Sequence, residues 1–487
     1  MRAELFIDGQ WRFGRGAPLT SQDPATNETV WSGAIALTDD VTDAFAAARR
    51  AFPAWARRPL DERISVVRAY AKAVEARAGV FAEMIARETG KVLWDCKGEV
   101  AAVIGKIEIS INAQAERAGH RDDPAPFGAM TLDHRPHGVM AVFGPFNFPA
   151  HLPNGHVVPA LLAGDTVVFK PSELAPGVAS VMMECWEAAG LPPGVVNMVQ
   201  GGRDVGGALL ANPEVNGVLF TGSAHAGQHI HRHFAGRPDI VLALELGGNN
   251  PLIAWPPADV AATANLIAHS AFATSGQRCS CARRLIVPDD AWGREVIDAL
   301  KALAGAITVG AWNAQPEPFM GPLVRAHAAE SAEKFVGALI ARGGAEIEPF
   351  AREGAFVRPT IIDMTAADGA EDEELFGPVL QVWRVRTFDE ALERANATRF
   401  GLAGGLISDD AALWERVHIE LRAGVLNWNR PTTGASGAMP FGGPGLSGSA
   451  RPSASYAADY CAYPVSTQRA EKAVAIPAPG LPQGSAK

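Results

Sequence analysis

VMAVF at residues 139–143, followed by TVVF at 166–169, opens a series of short apolar runs that are rich in β-forming residues. Further runs lie at 195–199, 215–220 and 240–244, and segments of helical length separate them at 150–163, 177–189, 205–211 and 224–234. Strands that alternate with helices favour a doubly wound parallel sheet. A second stretch of this kind runs from residue 251 to about 425. The sequence therefore predicts an α/β protein with two doubly wound parallel-sheet domains.

The segments that flank this region carry other patterns. Residues 5–11 predict a short hairpin around an Asp-Gly turn. Residues 41–118 predict long amphipathic helices that are rich in alanine, and the polar stretch 120–133 predicts a crossing or linker segment. Strand-like residues return at 456–465, and we expect the Pro/Gly-rich end of the chain, 476–487, to be disordered.

Length and composition limit the classes of protein that the chain can belong to. A chain of 487 residues is too long for one ordinary core, so two or three domains are expected. The formal net charge of −10 argues against nucleic acid and anionic membrane surfaces as partners. No apolar stretch reaches the roughly 18 residues of a membrane span. The N-terminus also becomes polar too early for a signal peptide.

The cysteines indicate the redox compartment. They are odd in number and scattered, which does not suit a disulfide framework: Cys96, Cys185, Cys279, Cys281 and Cys461. They suit a reducing environment, and we expect a cytoplasmic protein. Cys281 is expected to be a core residue.

Cys279 and Glu245 form the first candidate catalytic pair. Cys279 follows a turn of mostly small residues, TSGQR at 274–278, and Glu245 leaves an apolar strand into two glycines. A thiol attacks a carbonyl carbon as the thiolate, and an adjacent base or dipole must help it to ionise. The alternative is a buried structural cysteine, which is the usual fate of a free cysteine. The other sites along the chain favour the nucleophile.

Polar side chains follow two of the predicted strands, and ligands of such sheets bind at the carboxyl ends of strands. Asn147 offers uncharged N–H donors that suit a developing oxyanion, but a turn asparagine is equally consistent. Lys170 and Glu173 could bind ribose hydroxyls, and Glu173 would repel a 2′-phosphate and so favour NAD over NADP. An exposed charged turn is the alternative for that pair.

A candidate phosphate site lies where a predicted strand passes into a helix. Backbone N–H groups at a helix N-terminus receive phosphate. The residues concerned are Gly222, Ser223, Ala224, His225, Ala226 and Gly227. Their spacing differs from G-x-G-x-x-G, so the pattern alone is weak. A literal match at 443–448 has no strand before it and no helix after it, and we interpret it as a glycine-rich loop.

Two further groups need an interpretation. His225, His229 and His233 recur at helical spacing, but no carboxylate or cysteine accompanies them, so we expect a polar helix surface and no metal. In the acidic stretch 371–379, Glu374 could reach a ribose and Phe376 could pack on a nicotinamide ring. An acidic loop capped by a core aromatic residue is the alternative.

Seven motifs, in this order, resemble the NAD(P)-dependent aldehyde dehydrogenase superfamily. They lie between residues 143 and 443 and are FGPFNFP, KPSE, FTGS, LELGG, GQRC, EELFGPV and PFGG. The resemblance implies Cys279 as the nucleophile, Asn147 and the Cys279 backbone N–H as the oxyanion hole, and Glu245 as the base for a hydrolytic water. A thiohemiacetal would lose hydride to NAD⁺ and leave a thioester. The partner is then a small aldehyde.

The same resemblance assigns the cofactor contacts. Lys170 and Glu374 would bind ribose, Gly222 and Ser223 the pyrophosphate region, and Phe376 the nicotinamide side. One departure concerns the position nine residues after the oxyanion asparagine, where many relatives carry lysine. This chain has His156 there, so a proton-relay role of that lysine is not carried over.

Two C-terminal segments narrow the resemblance to the N-succinylglutamate 5-semialdehyde dehydrogenases of arginine catabolism. They are NWNRPTTGA at 427–435 and RPSASYAADYCAYP at 451–464. Arg430 and Arg451 are candidate clamps for substrate carboxylates, because guanidinium groups fit carboxylates. Structural or subunit-contact roles are equally consistent. Arg278 is a weaker candidate, and Phe441 of the PFGG motif is a further predicted substrate contact.

The resemblance also implies a division of the chain. It predicts an NAD-binding domain at 1–119 and 137–245, a catalytic domain at 246–452, and a β oligomerisation arm at 120–136 and 453–475. An exposed strand edge invites pairing, so a homodimer or a dimer of dimers is expected.

Three other functions stay open. The substrate could be another carboxylate-bearing aldehyde, such as succinic or glutamic semialdehyde. A cofactor-independent thiol esterase could use Cys279 and Glu245 alone. A non-catalytic binding protein could keep the fold, but the presence of the reacting residues argues against it.

Overall fold

The computed structural model describes residues 2–367, 369, 372–449 and 451–481. Its helices are α1 (Thr38–Arg57), α2 (Leu60–Ala76), α3 (Ala78–Thr89), α4 (Leu93–Arg117), α5 (His151–Ala163), α6 (Pro176–Ala188), α7 (Arg203–Ala211), α8 (Ala224–His233), α9 (Val260–Phe272), α10 (Ala291–Ala306), α11 (Ala326–Ala341), α12 (Phe388–Asn396), α13 (Ala411–Glu420) and α14 (Ala457–Tyr460). Short 3₁₀ helices cover Ala273–Gly276 and Gly445–Ser447.

The strands of the described chain follow in sequence order. They are β1 (Leu5–Ile7), β2 (Gln10–Arg12), β3 (Pro18–Gln22), β4 (Thr29–Ala34), β5 (Arg121–Ala125), β6 (Gly128–Pro136), β7 (Val139–Phe143), β8 (Thr166–Lys170), β9 (Val196–Met198), β10 (Gly217–Gly222), β11 (Val241–Leu246), β12 (Asn250–Ala254), β13 (Ala282–Pro288), β14 (Ala345–Glu348), β15 (Arg352–Glu353), β16 (Phe356–Val357), β17 (Thr360–Asp363), β18 (Val379–Val385), β19 (Ala403–Ile407), β20 (Val425–Trp428), β21 (Pro440–Phe441), β22 (Ser453–Ala454) and β23 (Ala462–Arg469).

The first sheet has the order β11-β10-β7-β8-β9-β1-β2. The five strands from β11 to β9 are parallel, and the hairpin of β1 and β2 adds an antiparallel edge. The predicted strands and crossover helices of this region are confirmed, because strands covered on both faces must be apolar along their length. β7 and β8 are buried at every residue.

The second sheet has the order β14-β17-β18-β13-β12-β19-β20, with β14 as its antiparallel edge. The other neighbouring strands are parallel, as predicted for the stretch from residue 251 to about 425. The α/β class with two parallel sheets is therefore confirmed. The chain passes from the first sheet to the second between β11 and β12, and Glu245 lies near the end of β11, just before this short crossing.

A three-stranded antiparallel sheet, in the order β23-β6-β5, forms the arm. The linker predicted at 120–133 is wrong, because these residues form the hairpin of β5 and β6. Their polar character comes from exposure: β5 has no buried residue. β23 pairs with β6 along its whole length, from Ala462 opposite Pro136 to Arg469 opposite Ala129.

The C-terminal prediction falls partly outside the described residues. Residues 476–481 are exposed and contain no helix or strand, while 482–487 lie outside the described part of the chain. Among the described residues no helix combines the length and apolar character that a membrane crossing needs.

Candidate active site

Cys279 follows a loop with an unusual backbone. Thr274, Ser275 and Gly276 have φ values of 55°, 56° and 73°, so consecutive residues occupy the left-handed region. Such a conformation costs free energy in residues with a side chain and persists only when neighbours hold it. A Cβ on Gly276 would lie 2.1 Å from the carbonyl oxygen of Gly377, so glycine is required there.

Side chains from distant elements hold this loop. The Thr274 hydroxyl donates to Asp95 Oδ2 at 2.5 Å, and the Ser275 hydroxyl donates to the Gly321 carbonyl oxygen at 2.6 Å. Arg278 completes the cluster with a 2.9 Å ion pair to Asp95 Oδ1. The loop is therefore fixed by hydrogen bonds to α4 and to the chain near residue 321.

Asn250, at the start of β12, holds the backbone on the other side of the thiol. Its Nδ2 donates to the carbonyl oxygens of Cys279 at 2.7 Å and Cys281 at 2.8 Å, and its Oδ1 accepts from the Ala403 N–H at 3.0 Å. Cys281 is fully buried, as predicted for a core residue. Asn250 is a site residue that the sequence interpretation missed, although it lies two residues after the LELGG motif.

Glu245 is positioned by the glycine-rich loop at 443–448. Gly448 forms a β-bridge with Glu245, and the Ser447 hydroxyl donates to the Gly247 carbonyl oxygen at 2.8 Å. The segment contains a 3₁₀ turn, which confirms its interpretation as a loop. The loop at 443–448 holds the end of β11 in place. The position of the Glu245 carboxylate therefore depends on contacts between residues about 200 positions apart in the sequence.

Three ionisable groups meet at this point. Burial, and then the charge of Glu374, raises the pKa of Glu245 to about 8, while the neighbouring Cys279 thiol opposes this shift. Burial and then the charges of Glu245 and Glu374 raise the pKa of Cys279 well above its usual value. Burial also raises the pKa of Glu374 to about 7. The thiol in this structure is therefore protonated near neutral pH.

Glu374 comes close to Glu245 and Cys279 because the chain between β11 and β12 has glycines, Gly247 and Gly248, where Glu374 approaches it. Its Oε1 accepts from the Gly248 N–H at 3.0 Å. A Cβ on Gly247 would lie 1.6 Å from Glu374 Oε2. The paired glycines after β11 thus make room for a second carboxylate. Glu371, from the same predicted motif, lies outside the described residues.

Two cavities meet at Cys279. The sheet-side cavity has a volume of about 320 Å³ and lies at the ends of the first sheet's strands; its lining includes Asn147, Thr221, Gly222, Ser223, Glu245, Glu374 and Phe376. The helix-side cavity has a volume of about 390 Å³ and lies against α4 and α5; its lining includes Lys106, Phe148, His151, Arg278, Ser436 and Phe441. One thiol therefore faces two separate binding volumes.

Asn147 lies in the sheet-side cavity and is buried. One hydrogen of its Nδ2 group is donated to the Gln277 carbonyl oxygen at 3.0 Å, two residues before the thiol. This bond orients the amide toward the Cys279 loop and leaves the second N–H as a donor. The structure thus brings together the three residues predicted to react: Cys279, Glu245 and Asn147.

The strand-end residues Lys170 and Glu173 lie at the edge of this region. Lys170 Nζ donates to the carbonyl oxygens of Pro171 and Gly201, each at 2.7 Å, and burial lowers its pKa to about 8. Glu173 is half-exposed, and its carboxylate lies 3.8 Å from Lys170 Nζ. Lys170 is thus fixed, while Glu173 projects toward solvent.

The predicted phosphate site is the first turn of α8. The Ser223 hydroxyl accepts from the Ala226 N–H at 3.3 Å and caps the helix, while Ala224 and His225 are at least partly exposed. A Cβ on Gly227 would lie 2.3 Å from Leu246 Cδ2, so this glycine lets α8 pack close to β11. Gly222 and Ser223 belong to the sheet-side cavity.

Predicted aromatic and arginine contacts divide into two groups. Phe376 lines the sheet-side cavity and Phe441 the helix-side cavity. Arg430 and Arg451 are exposed and line neither cavity. Arg278, the weaker candidate, does line the helix-side cavity, although it is paired with Asp95.

His156 is buried and fully hydrogen-bonded. Its Nδ1 lies 3.0 Å from the Tyr460 hydroxyl, and its Nε2 lies 3.1 Å from the Thr221 hydroxyl. Tyr460 donates to the Pro452 carbonyl oxygen at 2.9 Å, so it accepts from Nδ1–H and leaves Nε2 to accept from Thr221. Burial, and then the charge of Lys106, lowers the pKa of His156 to about 3, which keeps the ring neutral.

The histidines of α8 lie on an exposed, polar helix surface, as predicted. His225 and His229 are exposed, and His233 Nε2 lies 3.3 Å from the Leu210 carbonyl oxygen. Within the described ranges, no group of three or more histidine, cysteine, aspartate or glutamate residues has a metal-binding arrangement.

Comparison with known proteins identifies the family. Residues 11–465 match the model of the aldehyde dehydrogenase family. The chain belongs to the aldehyde dehydrogenase family. It is 58% identical to N-succinylglutamate 5-semialdehyde dehydrogenase 2 of Caulobacter vibrioides, over 97% of this chain and 98% of that protein. The protein is therefore an aldehyde dehydrogenase.

Solved aldehyde dehydrogenases and related enzymes share the fold. 1-Pyrroline-5-carboxylate dehydrogenase from Thermus with bound NAD has a TM-score of 0.89 and 30% identity, covering 96% of this chain and 92% of that one. NADP-dependent glyceraldehyde-3-phosphate dehydrogenase from Bacillus halodurans, in complex with NADP, has a TM-score of 0.89 and 27% identity, covering 96% and 99%. Similar folds therefore carry either cofactor.

Proposed function

We propose that this aldehyde dehydrogenase oxidises N-succinyl-L-glutamate 5-semialdehyde to N-succinyl-L-glutamate with NAD⁺. The observation that carries the proposal is the meeting of two cavities at one cysteine, with carboxylates on the sheet side. The substrate assignment is supported by 58% identity to a relative of that name across nearly the whole chain. The reaction belongs to arginine catabolism.

Cys279 would supply the nucleophile, with Asn147 as an oxyanion donor. The thiol proton is lost to solvent, and attack of the thiolate on the aldehyde carbon forms a C–S bond and a tetrahedral oxyanion. The free N–H of Asn147 and the Cys279 backbone N–H stabilise the negative charge. Expulsion of hydride leaves a thioester on Cys279. Covalent catalysis thus separates oxidation from hydrolysis.

Glu245 would act as the base for hydrolysis. It removes a proton from water, the hydroxyl attacks the thioester carbon, and the C–S bond breaks to release the acid and the thiolate. A carboxyl pKa of about 8 makes Glu245 an effective proton acceptor near the operating pH. The base must be ionised to accept this proton, so turnover should depend on pH.

The sheet-side residues fit a nicotinamide dinucleotide. The donors Lys170 and Ser223 and the carboxylate of Glu374 suit ribose and phosphate, and Phe376 lines the cavity that leads to the thiol. When bound, NAD⁺ accepts the hydride. We propose NAD rather than NADP because Glu173, next to Lys170, would repel a 2′-phosphate.

The experiment that tests this function is NADH formation by the purified protein with N-succinylglutamate 5-semialdehyde, with succinic and glutamic semialdehydes and NADP⁺ run in parallel. A kcat/KM at least about tenfold higher for the succinylated aldehyde with NAD⁺ supports the proposal, which corresponds to about 1.4 kcal/mol. Equal use of another semialdehyde contradicts the substrate assignment. Ester hydrolysis without cofactor and no NADH would favour the thiol esterase instead.

We also propose a division of labour and an assembly. Residues 1–119 and 137–245 would bind NAD, residues 246–452 would carry the catalytic thiol, and the arm at 120–136 and 453–475 would join subunits into a homodimer or a dimer of dimers. A cytoplasmic location is part of the proposal. The five free cysteines, four of them buried, support a reducing compartment.

A further inference from the structure

A buried lysine lies in the helix-side cavity without a partner. Lys106, in α4, lines this cavity and exposes 2% of its surface. Its ammonium group makes neither a hydrogen bond nor an ion pair with the described residues. Burial lowers its pKa to about 8. An uncompensated buried ammonium costs free energy, so lysine is almost never fully buried unless it is paired.

The carboxylates of the cavity do not balance this charge, because each has its own cation. Asp95 pairs with Arg278 at 2.9 Å, and Glu99 pairs with Lys91 at 2.7 Å. Glu99 Oε1 also accepts the backbone N–H groups at residues 150 and 151. The cavity therefore contains one unpaired positive charge, on Lys106.

The remaining neighbours of Lys106 are neutral and leave space. Burial, and then the charge of Lys106, lowers the pKa of His151 to about 4, so this ring is uncharged, and its Nδ1 is buried without a hydrogen-bond partner. Gly155 lies beside the lysine, because a Cβ at this glycine would be in van der Waals contact with Lys106 Cε at 3.7 Å. The hydroxyl groups of Ser436 and Ser453 belong to residues of the same lining.

We propose that Lys106 binds a carboxylate of the substrate and selects carboxylate-bearing aldehydes over uncharged ones. This inference rests on the proposed function, whose substrate carries two carboxylates besides the aldehyde. Lys106, and not the exposed Arg430 or Arg451, would then supply the positive charge that binds the substrate carboxylate. The carboxylate forms the ion pair that the folded protein alone does not supply.

The test compares Lys106→Met and Lys106→Arg with the wild-type enzyme. Each is assayed with N-succinylglutamate 5-semialdehyde and with pentanal, an aldehyde without a carboxylate. We expect Lys106→Met to lower kcat/KM for the succinylated aldehyde by about 100-fold, mainly through KM, and to leave pentanal oxidation within about threefold. Lys106→Arg retains the charge and should recover part of the loss. Lys97→Met, at an exposed lysine of the same helix that lines neither cavity, is the matched control and should leave the kinetics with both substrates unchanged.

A stability measurement separates recognition from a structural role. Removing an unpaired buried charge should raise the melting temperature of the ligand-free Lys106→Met variant or leave it unchanged. N-succinylglutamate should then raise the melting temperature of the wild-type protein but not of this variant. A lower melting temperature of the variant, or equal losses on both aldehydes, would overturn the proposal.

Failure of the proposed function gives a different result. If the wild-type enzyme oxidises pentanal but discriminates against N-succinylglutamate 5-semialdehyde, the substrate assignment fails. Lys106 is then tested with succinic and glutamic semialdehydes, for which the same charge-dependent loss is expected. If the Lys106 variants show no charge-dependent loss of kcat/KM with any of the three carboxylate-bearing aldehydes, the proposed role of Lys106 is wrong.

Discussion

Glu245 and Glu374 place two carboxyl groups next to a single thiol, and burial favours the protonated, uncharged form of all three groups. The charge of Glu374 raises the pKa of Glu245 and Cys279 further, because charge in a buried site is poorly screened. A cationic nicotinamide ring in the sheet-side cavity would reverse this balance and favour the thiolate. The proposed cofactor would therefore activate the nucleophile electrostatically as well as accept hydride.

The first prediction concerns Glu374→Gln. Loss of this negative charge should lower the pKa of Cys279 and accelerate alkylation by iodoacetamide at pH 8 by about three- to tenfold in the cofactor-free enzyme, as measured by mass spectrometry at Cys279. Glu373→Gln removes an exposed charge one residue away and should leave the rate unchanged. A slower reaction of the Glu374 variant would show that this carboxylate does not set the thiol pKa.

The second prediction follows from the raised pKa of Glu245. Because the protonated carboxyl cannot accept a proton, kcat should rise with pH through about 8 wherever hydrolysis limits turnover. Glu245→Gln removes this ionisation. It should give about one NADH per site and then stop, with a thioester on Cys279 in the intact-protein mass. Steady turnover of the variant with an unchanged pH profile would assign the base to another residue.

At the scale of elements, the site depends on where strands end and on what holds those ends. β11 carries Glu245, β12 begins with Asn250, and the strained loop before β13 carries Cys279. The local sequence does not favour left-handed Thr274 and Ser275. Hydrogen bonds from distant elements impose this conformation. The strained backbone that they hold in place positions the Cys279 thiol.

The third prediction tests this support through Asn250→Ala. The change leaves the carbonyl oxygens of Cys279 and Cys281 and the Ala403 N–H without their partner, so unfolding free energy should fall by about 2–3 kcal/mol. The Cys279 thiol should also be positioned less accurately for attack on the aldehyde carbon. We therefore expect kcat to fall by at least about tenfold, with a smaller change in KM. Denaturant unfolding and steady-state kinetics measure the two effects.

Asn396→Ala is the matched control for this variant. Asn396 binds two backbone groups near the end of α13, the Glu420 carbonyl oxygen at 2.9 Å and the Arg422 N–H at 2.8 Å. Its loss should lower stability without a selective loss of kcat. If both variants lose activity only in proportion to stability, Asn250 does not position the thiol.

How far the sequence predicts these elements depends on the range of the interactions. Buried strands such as β7 are recognisable because both faces are apolar, and the residues at their ends follow from the topology. Lys106 could not be found in this way, because a lysine on an amphipathic helix is normally on the solvent face. It packs beside Gly155 of α5, which is distant in sequence.

The same limit explains the substrate arginines. Arg430 lies in a loop whose path is set by Asn427, whose Nδ2 donates to the carbonyl oxygens of Pro431 at 2.6 Å and Gly434 at 2.9 Å. Arg451 has a left-handed backbone, with φ of 46°. Composition indicates which side chains suit a carboxylate, but only the folded loops decide which of them face the cavity.

At the scale of the whole molecule, the arm extends the structure beyond the two parallel sheets. β23 joins its C-terminal residues to the hairpin of β5 and β6, and Phe127 and Met130 expose 48% and 44% of their surface there. The segment that leads into the arm contains Tyr460, which contacts His156 near the site. Assembly through the arm would therefore be linked physically to the catalytic region.

The last prediction is that the arm holds subunits together. Phe127→Asp combined with Met130→Asp places charge on exposed apolar residues of the arm, so burial against a second subunit becomes unfavourable. We expect light scattering to show a dimer or tetramer for the wild-type protein and about half that mass for the double variant. Ile419→Asp, at an exposed isoleucine of α13, is the control and should leave the mass unchanged. If the wild-type protein is a monomer, or if all three proteins have the same solution mass, the arm is not the subunit interface. If only the arm variant has a lower mass, the β23-β6-β5 sheet holds the subunits together.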